Sequence, residues 1–158
     1  MTTRRTEYGM RAVLHLARKD PGRVTAATIS ADMGIPQGFL HQVLQALQRG
    51  GLVGSVSGRH GGYALSRPPA EISLLEIVEA LEGPLDVAGC ALRDGPCHWD
   101  DACAVHDVWS TGRKAFSQSL AESSLADVST ADQQREAGDY EIAAGTHCLR
   151  GRPGLSLS

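Results

Sequence analysis

Leu52-Val53-Gly54-Ser55-Val56-Ser57-Gly58-Arg59-His60-Gly61-Gly62-Tyr63-Ala64-Leu65 reads as two short strands around a glycine-rich, positively charged turn. Valine, leucine and tyrosine suit strands, and clustered glycines mark the turn between them. Glycines also let a backbone lie close to a sugar-phosphate wall, where Arg59 can enter a groove or touch phosphate. The plainer reading is a tight hairpin with no partner. The turn is not a phosphate-binding P-loop: it lacks the Lys-Ser/Thr ending and lies between strands.

What precedes the hairpin decides between those readings. Residues 6–19 are predicted helical, with Met10, Val13, Leu14 and Ala17 on one stripe and Pro21-Gly22 after it. His15 lies beside the stripe and is expected to be a partly buried structural histidine. Thr25 is a good N-cap for a short helix with Ile29 and Met33 facing inward. Gly34 stops that helix, and Pro36 biases Ile35 toward an extended link. A third helix runs to about Arg49, with Phe39, Leu40, Val43, Leu44 and Leu47 on its apolar face. Its other side carries amide and imidazole groups, which can read base edges. Helix, glycine turn, helix is the helix-turn-helix arrangement, although a helical hairpin in a bundle would look alike. A hairpin directly after it is a wing, and the combination points to double-stranded DNA. The candidate contacts are Thr25, Gln37, Gly38, His41, Gln42, Gln45, Arg59 and His60.

Charge agrees. The net charge of −3 hides an asymmetry: residues 1–70 carry nine Arg/Lys against three acids, and residues 71–158 carry six against fifteen. A basic first half suits a polyanion. No stretch is apolar and long enough to span a membrane, and no signal-peptide core opens the chain, so a cytoplasmic location is expected.

Downstream, Pro68-Pro69 forms a linker and Ser73-Leu74-Leu75-Glu76 a capping box for a helix over residues 74–82. Gly83-Pro84 ends it. Then comes Cys90-Ala91-Leu92-Arg93-Asp94-Gly95-Pro96-Cys97-His98-Trp99-Asp100-Asp101-Ala102-Cys103-Ala104-Val105-His106, read as an irregular loop up to Cys103. In a reducing compartment such cysteines are metal-binding or redox-active rather than disulfide-forming. Beyond Cys103, the residues Val105, Val108, Trp109, Gly112, Ala115, Phe116 and Leu120 share a helical face to about residue 122. A plain core is one reading of that stripe, but a homodimer interface is favoured, because a winged helix has little left to cover it. A short helix over Leu125–Val128 is expected, capped by Ser123 or Ser124. The chain thus divides into a winged helix-turn-helix domain (1–70), a cysteine loop and dimerisation helix (71–128) and a tail expected to be disordered (129–158). The fold class is mainly α with a small β-hairpin. Cys148, beside His147, falls in the tail and reads as a bystander thiol.

Tyr8-Gly9-Met10-Arg11-Ala12, Gly34-Ile35-Pro36 through Leu40, Gly51-Leu52-Val53, the Gly58–Leu65 wing, Ile72–Ile77 and the three-cysteine loop together resemble the Rrf-type winged-helix regulators, including the Isc, Nsr and Rir types. The resemblance covers about residues 4–128. It implies a dimeric transcription regulator, expected to be a repressor, holding an iron–sulfur cluster (2Fe-2S or 4Fe-4S) on Cys90, Cys97 and Cys103. It implies that the state of the cluster sets affinity for a pseudo-palindromic operator. His106 matches the fourth ligand of the Isc type, and Glu7 matches the acid of the Nsr type, which comes from the partner chain. His98, beside Cys97, is a third candidate. Three cysteines leave one iron position short, and an exchangeable fourth ligand suits a sensor. Zinc is the rival metal, although gaps of six and five residues without Cys-x-x-Cys are unusual for it. A metal-free thiol switch is a further alternative. An electron carrier is the reading from another class. No nucleophile–base pair or cofactor fingerprint supports catalysis.

Overall fold

The structure is a computed structural model that describes residues 3–58, 61–85 and 103–138. Helix α1 spans Arg4–Arg18, α2 Ala26–Met33 and α3 Gln37–Arg49. Strands β1 (Val53–Val56) and β2 (Gly62–Leu65) form an antiparallel hairpin in the register Val53↔Leu65 and Val56↔Gly62. A short 3-10 turn at Pro69–Glu71 leads into α4 (Leu74–Glu82), followed by α5 (Ala104–Glu122) and α6 (Leu125–Ala137). The fold is mainly helical with one small hairpin, as the sequence predicts.

Helix α1 is the hub and touches α2, α3, α4, α6 and β2. Its deepest face is not the expected stripe of large residues. Thr6, Gly9, Ala12, Val13, His15 and Leu16 are buried, whereas Met10, Leu14 and Ala17 pack only partly. The small residues explain the rotation. A Cβ at Gly9 would lie 2.2 Å from Leu81 Cδ1, so glycine lets α1 and α4 approach closely.

The helix-turn-helix is held by local chemistry. The Thr25 hydroxyl accepts from the Thr28 amide at 3.2 Å and caps α2. Gly34 closes α2 in the left-handed conformation at φ 63°, which favours glycine. Ser30 Oγ then donates to the Ile35 carbonyl at 2.6 Å, and Ile35 is buried. The link between α2 and α3 is therefore rigid. From α3, Leu40, Val43, Leu44 and Leu47 are buried and Phe39 partly so, as expected of its apolar face.

The capping box of α4 forms as predicted: the Glu76 amide donates to Ser73 Oγ at 3.2 Å, and the Ser73 amide donates to Glu76 Oε2 at 2.9 Å. That amide and the Arg67 guanidinium hold the Glu76 carboxyl below its ordinary pKa.

The C-terminal expectation needs correction. The helix expected over Leu125–Val128 continues to Ala137, so the region expected to be disordered from residue 129 begins with nine helical residues. Three anchors explain this. Ser124 and Asp127 make a second capping box. Leu125 is fully buried, and its amide donates to the Ile72 carbonyl at 2.8 Å. Arg18 of α1 pairs with Asp132 at 2.5 Å and Glu136 at 3.1 Å. Residues 139–158, including Cys148, lie outside the described residues.

Candidate nucleic-acid interface and sensor site

The helix-turn-helix presents one polar surface. Thr25, Gln37, Gly38, His41, Gln42 and Gln45 are all exposed, while the apolar positions between them are inside. The 3.6-residue period puts Gln37/Gly38, His41/Gln42 and Gln45 on successive turns of one side of α3. None of these side chains is an acid, so the surface can approach phosphates without like-charge repulsion. At the far end, Gln48 Nε2 donates to Ser55 Oγ at 2.8 Å and ties α3 to β1.

The wing stands next to it. Arg59 and His60, its two predicted contacts, lie outside the described residues. The strands beside them show one feature that sequence reasoning missed. Val24 pairs with Tyr63 through two hydrogen bonds, Val24 N to Tyr63 O at 2.9 Å and Tyr63 N to Val24 O at 2.8 Å. The segment entering α2 is thus joined to β2 at this one residue, an isolated bridge beside the two-stranded sheet. Val24 belongs to no alternating run, so no periodicity marked it. Gly62 permits the contact: at φ 150°, its added Cβ would meet the Val24 carbonyl at 2.8 Å.

The sensor candidates are divided. Cys90, Cys97 and His98 lie outside the described residues. Cys103 is the N-cap of α5, half-buried and in no disulfide. Its side chain makes no cap hydrogen bond, so the sulfur is not committed locally. His106 is exposed one turn later, its amide bonded to the Cys103 carbonyl at 3.0 Å. The two residues are thus neighbours on the first turn of α5, as their spacing predicts. Glu7 is exposed on α1 and spends its carboxylate on Arg11 at 2.5 Å. Arg11 also donates to the Met33 carbonyl at 3.3 Å, at the end of α2, and lies over the Tyr8 ring. Tyr8 meets Phe39 of α3 edge-on at 5.2 Å. Among the described residues, no three metal-ligand side chains gather.

The cysteine segment lies between the end of α4 and the head of α5. At its start, Glu82 accepts hydrogen bonds from the Thr3 and Thr6 hydroxyls at the beginning of α1. Burial raises the Glu82 pKa, but those hydrogen bonds outweigh it and leave the carboxyl below its ordinary range. At its end, Cys103 opens α5, whose exposed face carries Val108 (76% exposed), Trp109 (47%) and Phe116 (51%). No residue of α5 is buried within the chain.

The family model of Rrf2, described as an iron-dependent transcriptional regulator, matches residues 2–131. The chain belongs to the Rrf2 family. An HTH-type transcriptional regulator of Mycobacterium tuberculosis is 38% identical over 126 residues, covering 78% of this chain and 78% of its own length. The regulator IscR of Xenorhabdus nematophila is 29% identical over 152 residues, covering 96% and 92% of the two chains. Among solved structures, CymR, the global cysteine regulator of B. subtilis, superposes with a TM-score of 0.71 at 26% identity, over 82% of this chain and 96% of that one. IscR of T. potens gives 0.69 at 26% identity, over 90% and 93%. The chain is a transcriptional regulator of the Rrf2 family with a winged helix-turn-helix, and regulation through DNA is the function its relatives share. No helix among the described residues is long and apolar enough to cross a membrane.

Proposed function

We propose that this Rrf2-family regulator is a cytoplasmic homodimeric repressor whose operator affinity follows the state of an iron–sulfur cluster. The observation that carries the sensing part is the uncommitted Cys103 thiol at the head of α5, one turn before His106. Thiolates suit iron–sulfur chemistry, so the donor set of Cys90, Cys97 and Cys103, with His106 as fourth ligand and His98 or Glu7 as alternatives, fits such a group. When bound, the cluster supplies a redox- and nitric-oxide-sensitive centre. The chain's own residues do the rest. Cys103 joins the site directly to α5, and Glu82 joins the start of the loop to α1. The α5 face, covered by a second copy, sets the distance between two α3 helices. Each α3 must enter a major groove one helical turn, or a multiple of it, from its mate, so a small displacement changes affinity.

On α3, His41 and Gln42 are the base readers of this reading. Replacing either by alanine weakens binding to the operator more than to random DNA. Equal loss on both would remove them as readers.

The deciding experiment is an anaerobic absorption spectrum of the purified chain, with iron and sulfide analysis on the same sample. Thiolate-to-iron charge-transfer bands are expected, and Cys97→Ala abolishes them. A chain that stays colourless after reconstitution with iron and sulfide overturns the cluster. It leaves the second reading, a zinc site or bare thiol switch on the same cysteines. The likeness to CymR, of which the Staphylococcus aureus protein is known in an oxidized form at 26% identity, favours that alternative over any other.

A further inference from the structure

Next to Val24, the residue bridged to the wing, stands an arginine that the helix-turn-helix pattern does not predict. We propose that Arg23 contacts a DNA backbone phosphate, extending the protein–DNA interface from the wing tip back along the sheet. This rests on the DNA-binding reading above.

The argument begins with alternation. Val24 is buried and bonded to Tyr63, while its neighbours Arg23 and Thr25 are both exposed, as alternation about the bridge places them on the other side of the sheet. Given the Val24↔Tyr63 bridge, Arg23 lies opposite Ala64 and Thr25 opposite Gly62. The same outer face carries Gly54 on β1, opposite Ala64. Gly54, Gly62 and Ala64 raise nothing above the sheet that would shield a long side chain on the flanking segment. Thr25, the next outward-facing residue, caps the helix that leads into the recognition turn. Arg23 therefore stands between the two parts of the fold that approach the duplex.

Electrostatics separates Arg23 from other bases of the first half. Arg11 is held by Glu7, Arg18 by Asp132 and Glu136, and Arg67 by Glu76. Arg23 is exposed and has no acidic partner among the described residues. Of the exposed bases left so, it alone adjoins the residue bridged to the wing. A guanidinium that the fold leaves unpaired, on a face of small residues, suits bidentate contact with phosphate oxygens.

Phosphate contact is sequence-independent, so the test needs no operator. Binding of the full chain to a labelled mixed-sequence duplex is followed by fluorescence anisotropy between about 50 and 200 mM salt. The logarithm of the affinity falls linearly with the logarithm of salt. Arg23→Gln is expected to flatten that slope by about 0.9 for each bound copy, and Arg23→Lys to restore most of it. Arg67→Gln removes the same charge from a residue already paired with Glu76 and should leave the slope alone. Circular dichroism of each variant checks that the fold persists, as the exposure of Arg23 predicts. A wild-type slope for Arg23→Gln overturns the proposal, and so does an equal flattening in Arg67→Gln, which would mean bulk charge rather than contact. A wild-type chain with no salt-dependent binding overturns the DNA-binding reading itself, a different result from either.

Discussion

Helices α1 and α5 are both long, both carry an apolar stripe, and end in opposite situations. In its 15 residues α1 buries six, whereas α5 buries none of its 19. The difference is in what surrounds them. Helix α1 is enclosed by α3, α4, α6 and the wing, which together use the apolar surface of the N-terminal half. Helix α5 lies mainly against α4, with its residues at most half-buried, and is tied down at its end, where the Leu74 amide donates to the Ser123 carbonyl at 2.9 Å. The face of α5 turned away from α4 exposes Val108, Trp109 and Phe116, the kind of apolar patch that suits an interaction surface.

The largest expected effect breaks the packed side of the comparison. Leu81→Ala removes a buried side chain at the α1–α4 contact and should cost about 2–5 kcal/mol in urea unfolding. A cost below about 1 kcal/mol would mean that the contact is not tight. On the bare side, Trp109→Glu places a charge in the exposed stripe. It should weaken self-association about ten-fold or more, equivalent to ~1.4 kcal/mol, while helical content persists. Sedimentation velocity reads this directly. An unchanged dimer would place the interface elsewhere.

The same contrast explains what was legible in the sequence. Thr25, Gly34, Ser73 and Glu76 act within a few residues of themselves, so their caps and turns could be read before any fold was known. The apolar face of α3 follows from large side chains at helical spacing. Gly9 carries no such signal; its value lies in Leu81, far along the chain. Helix α6 is polar, and its second half is held by Arg18, more than a hundred residues earlier, so local pattern stopped at Val128. The Val24–Tyr63 bridge depends on a hairpin that forms later in the chain. Of the site, the polar face of α3 and the Cys103–His106 neighbourhood were readable because each lies on one helix. The remaining cysteines and the wing tip fall outside the described residues.

A smaller effect comes from pH and sharpens the packed side. His15 is buried beside Asp32, with Nε2 at 3.5 Å from the carboxylate and no hydrogen bond of its own. Burial, the largest influence, lowers its pKa below 6.5; Asp32 opposes this, and Lys19 and Arg18 add to it. The folded chain thus resists a proton that the unfolded chain accepts. Above 6.5 both forms are neutral and stability is unaffected by this group. As pH falls below 6.5, stability drops until the folded pKa is reached. The lowered carboxyl pKa values of Glu76 and Glu82 act in a separate window, below their ordinary 4.5. Urea midpoints between about pH 7.5 and 5.5 should therefore decline in the wild type and flatten in His15→Gln. Parallel slopes would show that the fold does not lower the pKa of His15.

The smallest expected effect concerns three glycines. A Cβ at Gly9 collides with Leu81, but one at Gly38 or Gly112 meets nothing within 4 Å. Both open positions are helical, where glycine costs about 1 kcal/mol relative to alanine in a helix interior and less near an end. Gly38 is the second residue of α3, so the fold alone does not require it. An alanine there should stabilise the folded chain by about 0.5 kcal/mol. If the recognition helix approaches DNA at this turn, the same methyl group must enter the gap between helix and groove. Gly38→Ala should then melt at a higher temperature and bind the operator more weakly, two changes of opposite sign from one atom. Equal operator binding at higher stability would separate Gly38 from DNA contact and leave His41, Gln42 and Gln45, further along α3, as the reading surface.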